Sequence, residues 1–301
     1  MRRIYCLLIL ILPTLCFGQI NDWKRYRYEV ILPIGVTNFL GDLGGANQIG
    51  THYFRDLELS QTNFSVGLGL RYRMTERLSI KGMFLYGTVS GADNLTQEPS
   101  RQNRNLSFRS RIYEISGNFE AAFIKDKGGH RYKLHNIVGQ KSFEMYSYVF
   151  IGLGLFHFNP QALYNGTWYD LQPLGTEGQG IDPNLKPYSL WQISIPIGIG
   201  FKYNFDKRWG LGIEFGIRKT FTDYIDDVST NYYDPKKIEE AYGYVAGKLS
   251  NRTGELGLAG HPTWTAPGEI RGNPNYKDSY MFLMLNVNYK LKQKVAKTFQ
   301  I

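Results

Sequence analysis

Residues 189–221 read SLWQISIPIGIGFKYNFDKRWGLGIEFGIRKTF. Two apolar/polar alternations flank a short break at 204–207. In the first, Trp191, Ile193, Ile195, Ile197, Ile199, Phe201 and Tyr203 share one parity, and Gln192, Ser194, Pro196, Gly198, Gly200 and Lys202 hold the other. In the second, Trp209, Leu211, Ile213, Phe215 and Ile217 alternate with Gly210, Gly212, Glu214, Gly216 and Arg218. Successive side chains of a strand point to opposite faces, so a period of two marks strands. One face here is apolar, with aromatics near its ends; the other is small or charged. Such a pair fits a transmembrane β-barrel whose apolar face meets lipid and whose other face packs a polar interior. Pro196 has no N–H to donate, which predicts a bulge or a non-bonded ladder position there.

Working outward, further strands are predicted over 26–39, 64–74, 78–90, 108–124, 145–158 and 279–291. The second is the cleanest: Phe64, Val66, Leu68, Leu70 and Tyr72 oppose Ser65, Gly67, Gly69, Arg71 and Arg73. The stretch 145–158 is apolar on both parities. It is either buried on both faces or fills a lumen with its aromatics beside Gly152 and Gly154. The connections alternate in length. Those at 40–61, 91–107, 159–187 and 222–277 are long, those at 75–77 and 204–207 are tight, and 125–144 is intermediate. Short periplasmic turns and long external loops are the rule for outer-membrane barrels. The expected fold is therefore all-β: an eight-stranded antiparallel transmembrane barrel with long external loops. One loop helix is predicted over 235–249, with Asp234 as N-cap and Pro235 in its first turn. The alternative, a soluble barrel or sandwich, would turn the apolar faces inward together and leave the glycine-rich, charged parity in water.

The chain holds 33 glycines and is 15% aromatic. Its mean hydropathy of −0.33 does not exclude a membrane barrel, because alternation dilutes a windowed average. Residues 1–18 read as an export signal: Arg2 and Arg3 precede an apolar run at 4–15 that is too short to span a bilayer. Cleavage is expected before Gln19, leaving 19–301 as one barrel domain; acylation at Cys16 is the alternative, disfavoured by the bulk of Leu15. Both cysteines, Cys6 and Cys16, fall in the signal, so the mature chain offers no disulfide and no thiol nucleophile. Losing Arg2 and Arg3 takes the formal charge from +9 to +7. The basic residues are scattered and form no stripe, which argues against nucleic acid and for contact with anionic lipid headgroups or a protein partner.

The predicted interior holds Glu29, Arg71, Arg73, Lys81, Glu114, Glu120, Lys202, Glu214 and Arg218. These groups would form either an ion or proton path or a packed network of paired charges. Eight strands leave room for side chains but not for an open channel, which favours the network. Cross-strand partners are expected, since Glu214 and Arg218 share a face without touching. His157 is the one histidine in a predicted strand, and no G-x-S-x-G element accompanies it. No enzyme and no cofactor is expected; a lipid-modifying outer-membrane enzyme is the lesser alternative. Asp223, Asp226 and Asp227, followed by Asp234, supply oxygens of the kind Ca²⁺ favours, but their spacing matches no calcium loop, and loop solvation or capping is the competing reading.

Three segments carry a resemblance: GVTNFLGDLGG at 35–45, FIGLGLFHFNPQALYNGTWYDLQPLGTEGQG at 150–180 and GIEFGIRKTFTDYIDDVSTNYYD at 212–234. In these the chain resembles the PorG-like outer-membrane barrels associated with the type IX (Por) secretion system. The resemblance implies an integral outer-membrane protein that helps couple a periplasmic secretion ring to the membrane, and it carries no catalytic residues. With such a ring as partner, the inward connection 125–144 is the expected docking element, through Lys125, Lys127, Arg131, Lys133 and Lys141. A second function class is an outward-facing binding or adhesion module built on the loops at 159–187 and 222–277.

Overall fold

The structure is a computed structural model that describes residues 22–43, 61–124 and 145–293. The expected export signal, the 125–144 connection with its five basic residues, and the tail beyond 293 lie outside the described residues.

Period-two patterning produces strands where it was read. These are β1 (Tyr28–Leu40), β2 (Asn63–Arg73), β3 (Leu78–Ala92), β4 (Ser107–Ile124), β5 (Met145–His157), β8 (Trp191–Asn204), β9 (Trp209–Thr220) and β10 (Ser279–Leu291). Each pairs antiparallel with its neighbours in the order β3-β2-β1-β10-β9-β8-β5-β4, and a β3–β4 ladder closes the sheet into a barrel of eight strands. Two short strands, β6 (Pro160–Tyr164) and β7 (Thr167–Asp170), form a hairpin that hangs on the end of β4.

The barrel is apolar outside and charged within. Leu153 is 68% exposed and Ile115 63%, whereas Lys81 and Glu120 are wholly buried. Water does not support that arrangement. A bilayer does, because every strand bond is internal and the apolar band meets acyl chains. The soluble alternative is thereby excluded. Aromatic rings gather at both rims: Tyr28 with Tyr72 and Trp209 with Tyr289 at the turn end, Tyr86 with Tyr113 and His157 with Trp191 at the loop end.

Pro196 sits in register opposite Arg218 of β9. On its other side the β5–β8 ladder lapses between the Ile151–Ile197 and Gly154–Ser194 pairs, with no slip of register. No bulge forms; the strand forgoes bonds on the side the proline nitrogen faces. Pro33 does the same between β1 and β2. In β5, Tyr146, Tyr148, Phe150 and Phe156 are buried while Val149, Ile151, Leu153 and Leu155 face out, so the aromatics fill the lumen.

The predicted loop helix differs from the one observed. It is broken into α2 (Pro235–Tyr242) and α3 (Tyr244–Ser250) at Gly243, whose φ of 92° cannot continue a helix. The apolar spacing that predicted one helix runs across the break, because Ile238, Ala246 and Leu249 are all buried. Asp234 caps α2 as its position predicts, accepting from the Lys236 N–H at 2.9 Å. A further helix, α1 (Pro99–Arg104), lies in the connection after β3.

Candidate functional site

Two polar assemblies stand out, one in the lumen and one over its loop-end mouth. In the lumen, all nine interior charges named above are buried. Arg71 grips Glu120 through two bonds of 2.6 and 3.1 Å and lies 3.3 Å from Glu29. Lys81 lies 3.0 Å from Glu120 and also donates to Glu214 on the far wall. Lys202 reaches both oxygens of Glu29 at 2.8 and 2.9 Å, and Arg218 donates to Glu114 at 3.2 Å. Tyr148 joins the two halves, accepting from Arg71 and donating to Glu214 at 2.6 Å. The Arg73 guanidinium stacks 5.0 Å from the Tyr146 ring.

Most of these pairs do not follow the ladder. β9 touches β8 and β10, yet Glu214 and Arg218 of β9 bind residues of β3 and β4 across the lumen. Only Glu29 and Arg71 are direct ladder partners. Buried ions must be paired closely to offset their desolvation. A ring of eight strands brings opposite walls near enough for one long cation to bridge them. Gly200 makes room: a Cβ there would overlap the Tyr148 ring.

The mouth is closed by the connections after β3, β5 and β9 together with residues 41–43, which follow β1. Apolar packing starts it, with Leu43, Leu106, Phe108, Phe158, Ile225 and Val228 in one buried cluster. Phe158, Tyr188 and Tyr224 stack in a column with near-parallel rings. Two arginines then tie the loops together. Arg104 of α1 binds both oxygens of Asp93 at 2.8 Å and donates to the carbonyls of Asp42 and Arg271 at 2.7 Å. Arg271 binds Glu177 at 2.9 Å, lies 3.7 Å from the Asp227 carboxylate and donates to the Asp227 carbonyl. Glu177 also accepts from the backbone of Ser229 and Thr230.

The acidic residues at 223–227 are buried here, not solvated. Asp226 accepts from the Leu43 and Val228 N–H groups, and Asp227 from Tyr188 at 2.7 Å and from Thr176. Burial pushes the Asp227 carboxyl up to about 6, opposed by Arg271. Burial and the nearby Asp42 push Asp223 up to about 8, with the Ser229 hydroxyl acting the other way. Asp226 and Asp278 are raised as well, by burial first and then by neighbouring carboxyls. Asp226 and Asp227 thus hold backbone and hydroxyl groups of the loops, and the Asp223 carboxyl is buried beside them. Among the described residues no group of three or more histidine, cysteine, aspartate or glutamate side chains is placed to hold a metal ion.

His157 lies at the outer rim, 5.0 Å from Trp191 and 6.4 Å from Tyr113 in ring-centre distance. Sequence reasoning did not single out Asp93, Arg104, Glu177 or Arg271, which sit in stretches without periodicity. One local signal was present but unread: Asn165-Gly166 between two β-prone runs marks the β6–β7 hairpin turn, with φ of 48° and 78°.

The three segments that carry the family resemblance converge on this cap. Asp42 and Leu43 come from the first, Thr176 and Glu177 from the second, Asp226 and Asp227 from the third, and they are joined by the contacts just given. Comparison with known proteins adds the following. The N-terminal β-barrel domain of Pseudomonas aeruginosa OprF is 10% identical over 88% of this chain and 98% of that chain, with a TM-score of 0.36. Neisserial surface protein A is 10% identical over 88% and 97%, also at 0.36. The attachment invasion locus protein Ail of Yersinia pestis is 7% identical over 89% and 99%, at 0.37. No curated protein matches. A family model described as a domain of unknown function, DUF6089, matches residues 2–241, and the chain belongs to that family.

Proposed function

We propose that this member of the DUF6089 family is a non-enzymatic bacterial outer-membrane barrel that anchors a protein-secretion apparatus of the type IX kind. The observation that carries the reading is the filled and capped barrel. Its lumen is occupied by ion pairs and aromatic rings, and its mouth is tied shut by Arg104 and Arg271. Among the described residues, the interior carboxylates are engaged by cations and by Tyr148 or Tyr280 and are not left facing open solvent. What such a body offers is a rigid, lipid-embedded post. The resemblance of the cap-forming segments to PorG-like barrels supplies the apparatus, and the basic connection at 125–144 supplies the docking element on the periplasmic side.

The test is replacement of Lys125, Lys127, Arg131, Lys133 and Lys141 by serine. The variant should still fractionate with the outer membrane while secretion falls; unchanged secretion in an inserted variant overturns the anchoring role. A second reading, an external binding or adhesion module, is favoured by one observation: Leu258, Trp264 and Ile270 stand exposed on the last loop. Removing residues 253–266 separates the two. Secretion survives that deletion if the barrel is an anchor, and surface binding is lost if the loop is the recognition element.

A further inference from the structure

The outer wall carries a feature that neither the lumen network nor the cap uses. On β4, Arg109 and Arg111 fall on the same parity as Tyr113, Ile115 and Phe119, the lipid-facing parity. The ladder sets Arg109 beside Ser90 of β3 and Arg111 beside Thr88, one step beyond the Tyr86–Tyr113 pair of the aromatic rim. From Leu78 at the turn end of β3 up to Thr88 is about 26 Å at ordinary strand rise and tilt. That is the height of the apolar slab, so the two guanidiniums stand where headgroups begin.

Neither arginine has a carboxylate within ion-pair distance among the described residues. Arg109 donates to Gln161 at 3.1 Å and lies 3.5 Å from the Trp168 ring centre, contacts that fix its position without neutralising it. Gln161 and Trp168 belong to the β6–β7 hairpin, which is paired to β4 at Arg109 and leans over the barrel wall. Between hairpin and wall lies a groove of about 590 Å³ lined by Phe64, Tyr86, Thr88, Arg109 and Trp168. Two like charges two residues apart on one strand face repel each other, and an anion bridging them removes that cost. Guanidinium is the side chain best matched to phosphate, through paired N–H donors.

We propose that Arg109 and Arg111, with Trp168, bind the phosphorylated headgroup of an acylated glycolipid in the outer leaflet. The inference rests on the outer-membrane reading for the identity of the leaflet. Lipid, and not a soluble anion, is the occupant because the arginines continue the lipid-facing parity and the groove opens onto the apolar band through Phe64 and Tyr86.

The experiment uses the full-length protein in neutral detergent micelles, titrated with diphosphorylated lipid A, with its phosphate-stripped form and with inorganic phosphate, read by tryptophan fluorescence. Lipid A should bind, the stripped form about tenfold or more weakly, as expected for the loss of charge-assisted bonds. Millimolar inorganic phosphate should not displace the lipid. The R109Q/R111Q variant should bind lipid A only as well as the stripped lipid, and W168A should weaken binding on its own. K219Q, which removes an outward lysine of β9, should bind as wild type. Folding is checked by heat-modifiable migration, and R111Q alone serves where the double variant fails it. Equal affinity for both lipids, displacement by free phosphate, or an equal loss in K219Q overturns the site. Fractionation to another compartment overturns the outer-membrane reading, and the micelle titration is independent of it.

Discussion

Arg104 and Arg271 show how single side chains decide whether the loops form a cap. Each binds a carboxylate from one loop and a carbonyl from another. Removing one partner of a buried pair leaves the other charged and dry, at a cost of about 3–5 kcal/mol. Arg104→Ala should therefore open the cap and leave the barrel folded. Limited proteolysis checks this: cutting should appear within 221–278 while the heat-modifiable barrel band persists, and a protected loop would contradict it. The carboxyls of the cap add a pH dependence. A folded-state value raised above that of the unfolded chain, about 3.9 for aspartate, stabilises fully below that value and is lost as pH climbs. The window runs through about 6 for Asp227 and about 8 for Asp223. Amide exchange over 222–230, corrected for its chemical rate, should quicken between about pH 4 and 8. Asp223→Asn should flatten the upper part of that profile; a flat wild-type profile would sink the account.

At the level of elements, the strands answer to sequence pattern and the loop pieces to glycine. Asn165 and Gly166 turn β6 into β7 at positive φ, the conformation a two-residue hairpin needs. A β-branched residue is strained there, at about 1–2 kcal/mol. Gly166→Val should loosen the hairpin, with faster exchange over 160–170 and, through Trp168, weaker lipid binding; an unchanged hairpin would show that β4 alone holds it. Gly243 acts in the opposite sense by stopping a helix. The prolines show how a strand tolerates a missing donor: the ladder lapses on one side and the register carries through.

For the whole molecule the decisive quantity is the lumen's fullness. Arg71, Lys81 and Tyr148 with Glu29, Glu120 and Glu214 form one connected group across the barrel. Glu120→Gln strips charge from the centre of that group, leaving Arg71 and Lys81 short of a counter-charge at a cost of several kcal/mol. The expected result is a lower midpoint for the heat-modifiable transition. The wild-type protein in planar bilayers should carry no steady ionic current, and regular single-channel steps would contradict a filled barrel.

The sequence by itself determined the eight barrel strands, their inward and outward faces and the alternation of short and long connections. All three follow from local chemistry: side-chain parity, turn residues and the length of chain between patterns. It showed which charges share the interior parity, but not that Glu214 meets Lys81 or that Arg218 meets Glu114. Those pairs lie across the lumen, and parity along one strand says nothing about the opposite wall. It held the cap's residues in three resembling segments and in the unpatterned stretches around Arg104 and Arg271. Only closure of the barrel, which fixes where each loop leaves the rim, decided that they meet.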